Sequence, residues 1–161
     1  MSANLITSIN DLDALATRLF KAGLFGNDVK NVDQAFAVLL TGWELDLPPM
    51  VSLRGILFSR GKVSLSAELT VAVCVKRRDV CSYFRLVAST PTEATYETLR
   101  AGSPAPNILT WTIAQAQRAG LMSNAVWKNH PEAMLRARCA AALARATYPD
   151  LVAKLYDPDE V

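Results

Sequence analysis

Three arginines, Arg136, Arg138 and Arg145, punctuate the alanine-rich stretch WKNHPEAMLRARCAAALAR at residues 127–145, against one acid, Glu132. A guanidinium group is planar, always charged and carries a fork of N–H donors, so such a set suits phosphate or carboxylate. On a helical wheel with Leu135 at 0°, Arg138 and Arg145 fall at about 300° and 280°, two turns apart on one flank, and Arg136 at about 100°. Cys139, Ala142, Leu143 and Ala146 share the sector of Leu135 and form the expected core stripe. Ala137, Ala140 and Ala144 lie opposite, and a face with nothing beyond Cβ lets another backbone, protein or nucleic acid, come close. Trp127 stands just upstream, where an aromatic beside arginines can stack on an unpaired base. The plainer alternatives stay open: alanine as the best helix former, arginines solvated or paired with Glu132 and Asp150, and Trp127 as a hydrophobic staple.

The rest of the charge is unevenly spread. Residues 1–50 hold three basic and six acidic side chains, net −3. Residues 51–85 hold Arg54, Arg60, Lys62, Lys76, Arg77, Arg78 and Arg85 against Glu68 and Asp79, net +5, and the remainder is balanced. That asymmetry points to a polyanion site or to contact between subunits. Lys76-Arg77-Arg78 also sits where a helix C-terminus would favour cations for its own sake.

Other chemistries lack their residues. There is no GxxxxGK[ST] loop for a nucleoside triphosphate and no GxGxxG. His130 is the only histidine and stands beside Pro131 at a helix start. Convergence of Cys74, Cys81, Cys139 and His130 on zinc would need unsuitable spacings, and the cysteines lie among apolar residues. These considerations argue against an enzyme, against a metal or other resident cofactor, and for reduced core thiols in a cytoplasmic protein. Mg²⁺ could assist a nucleic-acid reaction, but no protein site for it is expected. With no signal peptide and no apolar run near ~18 residues, no membrane span is expected.

The elements that must position these residues follow from periodicity. Residues 9–22 place Leu12, Leu15, Ala16, Leu19 and Phe20 on one helical face, closed by Gly23. Asn31 or Asp33 caps a second, apolar helix, which Pro48-Pro49 ends. SLRGILFSRGKVSLS reads as two short strands about a turn at Ser59-Arg60-Gly61. Ser66 with Glu68 opens a helix running to Lys76-Arg77-Arg78, and VCSYFRLVAS with EATYETLRAG alternates like a hairpin through Pro91-Thr92. GSPAP at 102–106 is a loop, and Thr112 with Gln115 forms a capping box for a helix closed by Gly120. Pro131 fits the first position of the arginine-bearing helix, and the tail is a short helical turn followed by an acidic end. The expected fold is α+β in one domain, residues 1–161, with small antiparallel hairpins flanked by helices.

At WKNHPEAMLRAR, with Ala144-Arg145 and then LYDPDE at 155–160, the chain resembles the signature segment of phage single-strand annealing proteins of the RecT and lambda Beta type. AFAVLLTGWELDLPPM, LRGILFSRGKVSLSAELTVAVCVKRR and TWTIAQAQRAGL are similar to other parts of that family in the same order, so the likeness spans roughly residues 32–160. The resemblance implies binding of single-stranded DNA and annealing of complementary strands through a duplex intermediate, without ATP. It also implies a homo-oligomer, ring or helical filament, in a phage- or prophage-type recombination system of the bacterial cytoplasm. A phage exonuclease or the host single-strand-binding protein would be the partner. It places DNA contacts on Trp127, Arg138 and Arg145, with Arg136 in the matching Met-Leu-Arg, and makes residues 31–160 the core with 1–30 as an oligomer contact. One position departs: in the lambda-type motif a basic residue follows His-Pro, where this chain has Glu132. Combining both readings, Arg138 and Arg145 with Lys76, Arg77, Arg60 and Lys62 are expected to track the sugar–phosphate backbone. The competing expectation is an oligomeric structural protein that keeps the fold and turns its basic face to an acidic patch on a neighbour. A metal-dependent nuclease is disfavoured by the lack of a carboxylate–histidine cluster.

Overall fold

The computed structural model describes residues 6–152. They form a mixed α+β structure with two small antiparallel sheets, dividing at Ser66/Ala67 into two compact units. Among the described residues, no helix is long and apolar enough to cross a membrane.

The first unit begins with α1 (Ile9–Lys21), whose N-cap Ser8 accepts a hydrogen bond from the Asp11 amide. Leu12 and Ala16 are buried where α1 packs on α2 (Val32–Glu44). Asn31 caps α2: its side chain accepts from the Gln34 amide at 2.9 Å, while the Gln34 side chain accepts from the Lys30 amide at 2.6 Å. That reciprocal pairing satisfies donors the first helical turn would otherwise leave open. The second helix ends at Glu44, before the proline pair. Pro49 instead starts α3 (Pro49–Gly55), which takes in the Ser52-Leu53-Arg54-Gly55 segment expected as strand. Proline at a first helical position gives up no hydrogen bond, so it opens a helix as readily as it ends one. Gly42 lies where α3 crosses α2, and a Cβ there would overlap the Ser52 hydroxyl.

β1 (Ile56–Ser59) and β2 (Lys62–Leu65) pair with Ser59 opposite Lys62, leaving a two-residue loop of Arg60 and Gly61. Both have positive φ, 50° and 76°, as a type I′ turn requires. Gly61 takes that conformation at no steric cost; Arg60 does not.

In the second unit α4 (Ala67–Lys76) is followed by β3 (Cys81–Ser89), β4 (Glu93–Arg100) and β5 (Asn107–Thr112), a meander ordered β3-β4-β5. The third strand is absent from the sequence-based expectation. The capping box at Thr112 and Gln115 is present and opens α5 (Ile113–Arg118), after which Gly120 takes φ 74° and ends the turn. A 3₁₀ turn (Leu121–Ser123) and α6 (Ala125–Asn129) lead into α7 (Pro131–Thr147), and α8 (Pro149–Val152) follows. The acidic end expected of the tail lies outside the described residues.

Strand alternation sorts the sheet into two faces. Ala94 pairs with Trp111, Tyr96 with Leu109 and Thr98 with Asn107 on the face that α7 covers. Thr95 pairs with Thr110, and Glu97 with both Arg85 and Ile108, on the other. The core on the covered face gathers Ala94, Ala116, Trp127, Leu135 and Cys139. At the far end of α7 the Thr98 hydroxyl sits 2.6 Å from the Tyr148 hydroxyl and donates to the Tyr83 carbonyl at 2.7 Å.

Candidate nucleic-acid interface

α7 is buried on more sides than a surface helix. Leu135, Cys139 and Leu143 face the core as expected, but Ala140, Ala141, Ala144 and Thr147 are buried too, and Ala146 is exposed. The alanine face expected to meet a foreign backbone packs instead on α4. Its small side chains do allow close approach, and the partner is a helix of the same unit. The expected core stripe is corrected accordingly: Ala142 is half-buried and Ala146 leaves it altogether.

The Arg138 guanidinium lies over the Trp111 ring, its carbon 5.1 Å from the ring centre. β5 is joined to this side of α7 where the Cys139 thiol donates to the Leu109 carbonyl at 3.2 Å and the Asn107 side-chain Nδ2 donates to the Thr147 hydroxyl at 3.3 Å. Burial raises the pKa of the Cys139 thiol, so it stays protonated and a donor. Arg145 follows Arg138 by two turns, about 10 Å along the axis. Both residues are half-buried.

Arg136 takes the other flank, as expected, but is tied down there. It donates to the Ser89 hydroxyl at 3.0 Å and to the Glu132 carboxylate at 3.3 Å, and Ser89 donates to the same carboxylate at 2.8 Å. Glu132 thus clasps the start of α7 to the end of β3. Arg136 also lines a cleft of about 390 Å³ between α4 and α7, with Glu68 and Tyr96. Burial raises the Tyr96 phenol's pKa, and nearby Arg136 opposes that shift.

Trp127 is 2% exposed, which corrects the expectation that its ring stacks on a base. The short helix α6 turns the indole into the core, leaving no face for a ligand. At the end of α4, Lys76 and Arg77 are exposed, and Arg77 forks onto Asp79 at 2.9 and 2.7 Å. Arg100 makes a second fork, onto Asp150 at 2.7 and 2.8 Å, and donates to the Thr147 carbonyl. These hydrogen bonds hold both carboxylates below their ordinary range: Arg77 is responsible at Asp79, and Arg100 at Asp150. Arg60 and Lys62 belong to the first unit, exposed at the tip of its hairpin.

Trp111 is the residue the sequence reading missed. The signal is present: NILTWT alternates, and a tryptophan at its fifth position shares a strand face with Leu109. The second unit therefore offers a helix-backed antiparallel sheet, with a cationic helix flank stacked on an edge-strand tryptophan. No family model and no curated protein sequence matches the chain.

Proposed function

We propose that the chain binds single-stranded DNA and anneals complementary strands without nucleotide hydrolysis, acting as a homo-oligomer in phage-type recombination. The observation that carries this reading is the flank of α7, where Arg138, seated on Trp111, and Arg145 stand two turns apart. A row of guanidinium groups on a rigid helix neutralises phosphates without reading sequence, which annealing of arbitrary strands requires. The resemblance at residues 127–145 to the RecT and lambda Beta type supports the same reading. Lys76, Arg77, and Arg60 with Lys62 are further candidates for backbone contact. Few phosphates are met by each subunit, so single copies bind weakly and an assembly supplies the avidity. In this reading Glu132 serves as a clasp for Arg136, and the phosphate contact that a basic residue after His-Pro would make is absent.

The test is annealing of complementary oligonucleotides without ATP across a salt titration, comparing wild type with Arg138→Ala/Arg145→Ala. Each lost single-strand phosphate contact lowers the salt slope by about 0.7, so the double variant should lose about sevenfold less affinity between 50 and 200 mM salt. Wild-type annealing by a normally folded double variant would exclude these two residues from the site.

A further inference from the structure

We propose that the cleft between α4 and α7 binds a guanine-type base, a neutral planar ring with two adjacent N–H donors beside a carbonyl. The site goes beyond the DNA-binding reading and does not depend on it. The cleft lies wholly within the second unit and encloses about 390 Å³, within the range of small-molecule sites. Ala67 and Val71 of α4 and Ala133, Ala137 and Ala140 of α7 wall it, side chains short enough to admit a flat ring. Three polar groups converge on it: the Glu68 carboxylate, the Arg136 guanidinium and the Tyr96 phenol. Burial raises the phenol's pKa, Arg136 lowers it and Glu68 raises it, so both charges are felt at the Tyr96 hydroxyl.

Among the described residues, the Glu68 carboxylate and the Tyr96 hydroxyl make no hydrogen bond. Both hydrogen bonds of Arg136, to Ser89 and Glu132, leave from Nη1, so Nε and Nη2 are not spent on them. The charges select the ligand. Glu132 stands 3.3 Å from Arg136, so one cation answers two carboxylates at the cleft, Glu132 and Glu68. A phosphate or a free carboxylate is repelled there, and a cation would meet the Arg136 guanidinium. A neutral ring with donors on one side and an acceptor on the other satisfies every group. A carboxylate accepts two parallel N–H bonds, as N1 and N2 of guanine supply, while guanidinium and phenol donate to O6. Adenine mismatches at both ends: its N1 is an acceptor set against the carboxylate, and its amine is a donor set against the guanidinium.

The experiment is isothermal titration of the full chain with guanosine, which should bind with a Kd of about 10–100 µM. Inosine, which lacks the 2-amino donor, should bind about tenfold more weakly, and adenosine should give no measurable heat. Glu68→Gln, at an exposed position, should cost guanosine about tenfold in affinity. Ala133→Leu, exposed as well, should fill the slot and abolish binding. Displacement of guanosine by an oligothymidylate carrying a single guanine would make the occupant an unpaired base of a strand; resistance to displacement would make it a free nucleoside. Equal affinity for guanosine and adenosine would mean a slot that takes any ring, and overturns the proposal. Unchanged guanosine affinity in Glu68→Gln overturns it too, as does a folded wild type that binds no guanosine at about 1 mM. None of these readouts involves strand annealing, so failure here and failure of the DNA reading are distinguishable.

Discussion

Replacing Trp127 separates a core tryptophan from a base-stacking one. The side chain is 2% exposed and packed with Ala94, Ala116, Leu135 and Cys139. Burial of a tryptophan removes roughly 200 Å² from water, about 5 kcal/mol at ~25 cal/mol per Å². Residual burial in the denatured chain reduces that figure, and the cavity left by alanine adds to it, so Trp127→Ala should cost about 3–5 kcal/mol. That is a large share of the ~5–15 kcal/mol that holds a domain folded. Urea unfolding followed by far-ultraviolet circular dichroism measures it, with the midpoint falling while the slope stays constant. Trp127→Phe should fall in between and, on the proposed function, match wild type in oligonucleotide affinity once folded. An alanine variant with wild-type stability and no DNA binding would falsify the core assignment.

Three further outcomes follow from the geometry. Gly42→Ala should destabilise the first unit by about 1–3 kcal/mol in urea unfolding, because the new Cβ meets the Ser52 side chain between two helices; a neutral result would mean that α2 and α3 can part freely. Arg60→Gly should raise stability by about 1 kcal/mol, since φ 50° costs a residue with a Cβ, and should lower oligonucleotide affinity if the hairpin tip meets the strand. Unchanged stability would show that the turn relaxes without cost. Thermal midpoints should hold from neutral pH to about 5 and drop below about 4, where carboxylates held low by partners become protonated. The sign is that of a depressed folded-state pKa: stabilisation is present above the ordinary carboxylate value and lost as pH falls through the folded one. Asp150→Asn should therefore lie below wild type at neutral pH and meet it below about pH 3; a constant gap would remove the Arg100–Asp150 fork from the explanation.

Local chemistry is legible where it is decided by neighbours in sequence. Asn31, Thr112 with Gln115, Gly120 and the Arg60-Gly61 turn act within a few residues of themselves, and each stands where composition places it. The antiparallel α+β character follows from the same signals. Pro49 misleads because a proline can end a helix or open one; here α2 already stops at Glu44, and Pro49 only opens α3. The wheel for residues 131–147 has correct angles and the wrong surroundings. Alanine is compatible with water and with a close-packed helix alike, and the choice between them depends on α4, some sixty residues earlier. Trp127 and Trp111 exchange roles for a related reason. Sequence proximity makes Trp127 the companion of the arginines, whereas strand pairing delivers a different tryptophan to Arg138.

The clasp and the buried hydroxyl pair that join α7 to the sheet carry a consequence for how the chain is made. Ser89 meets Glu132 across 43 positions, and Thr98 meets Tyr148 across 50. At ~5–20 residues per second the ribosome completes the strands, which end at Thr112, about 2–7 s before it supplies Thr147 at the end of the helix that covers them. During that interval Ala94, Tyr96, Leu109 and Trp111 face water on a three-stranded meander with two bare edges, the form in which nascent chains find one another. Translation pauses that fall after the strands have left the ribosome and before α7 has done so should therefore reduce soluble yield, whereas pauses before Cys81, the first residue of these strands, should leave it unchanged.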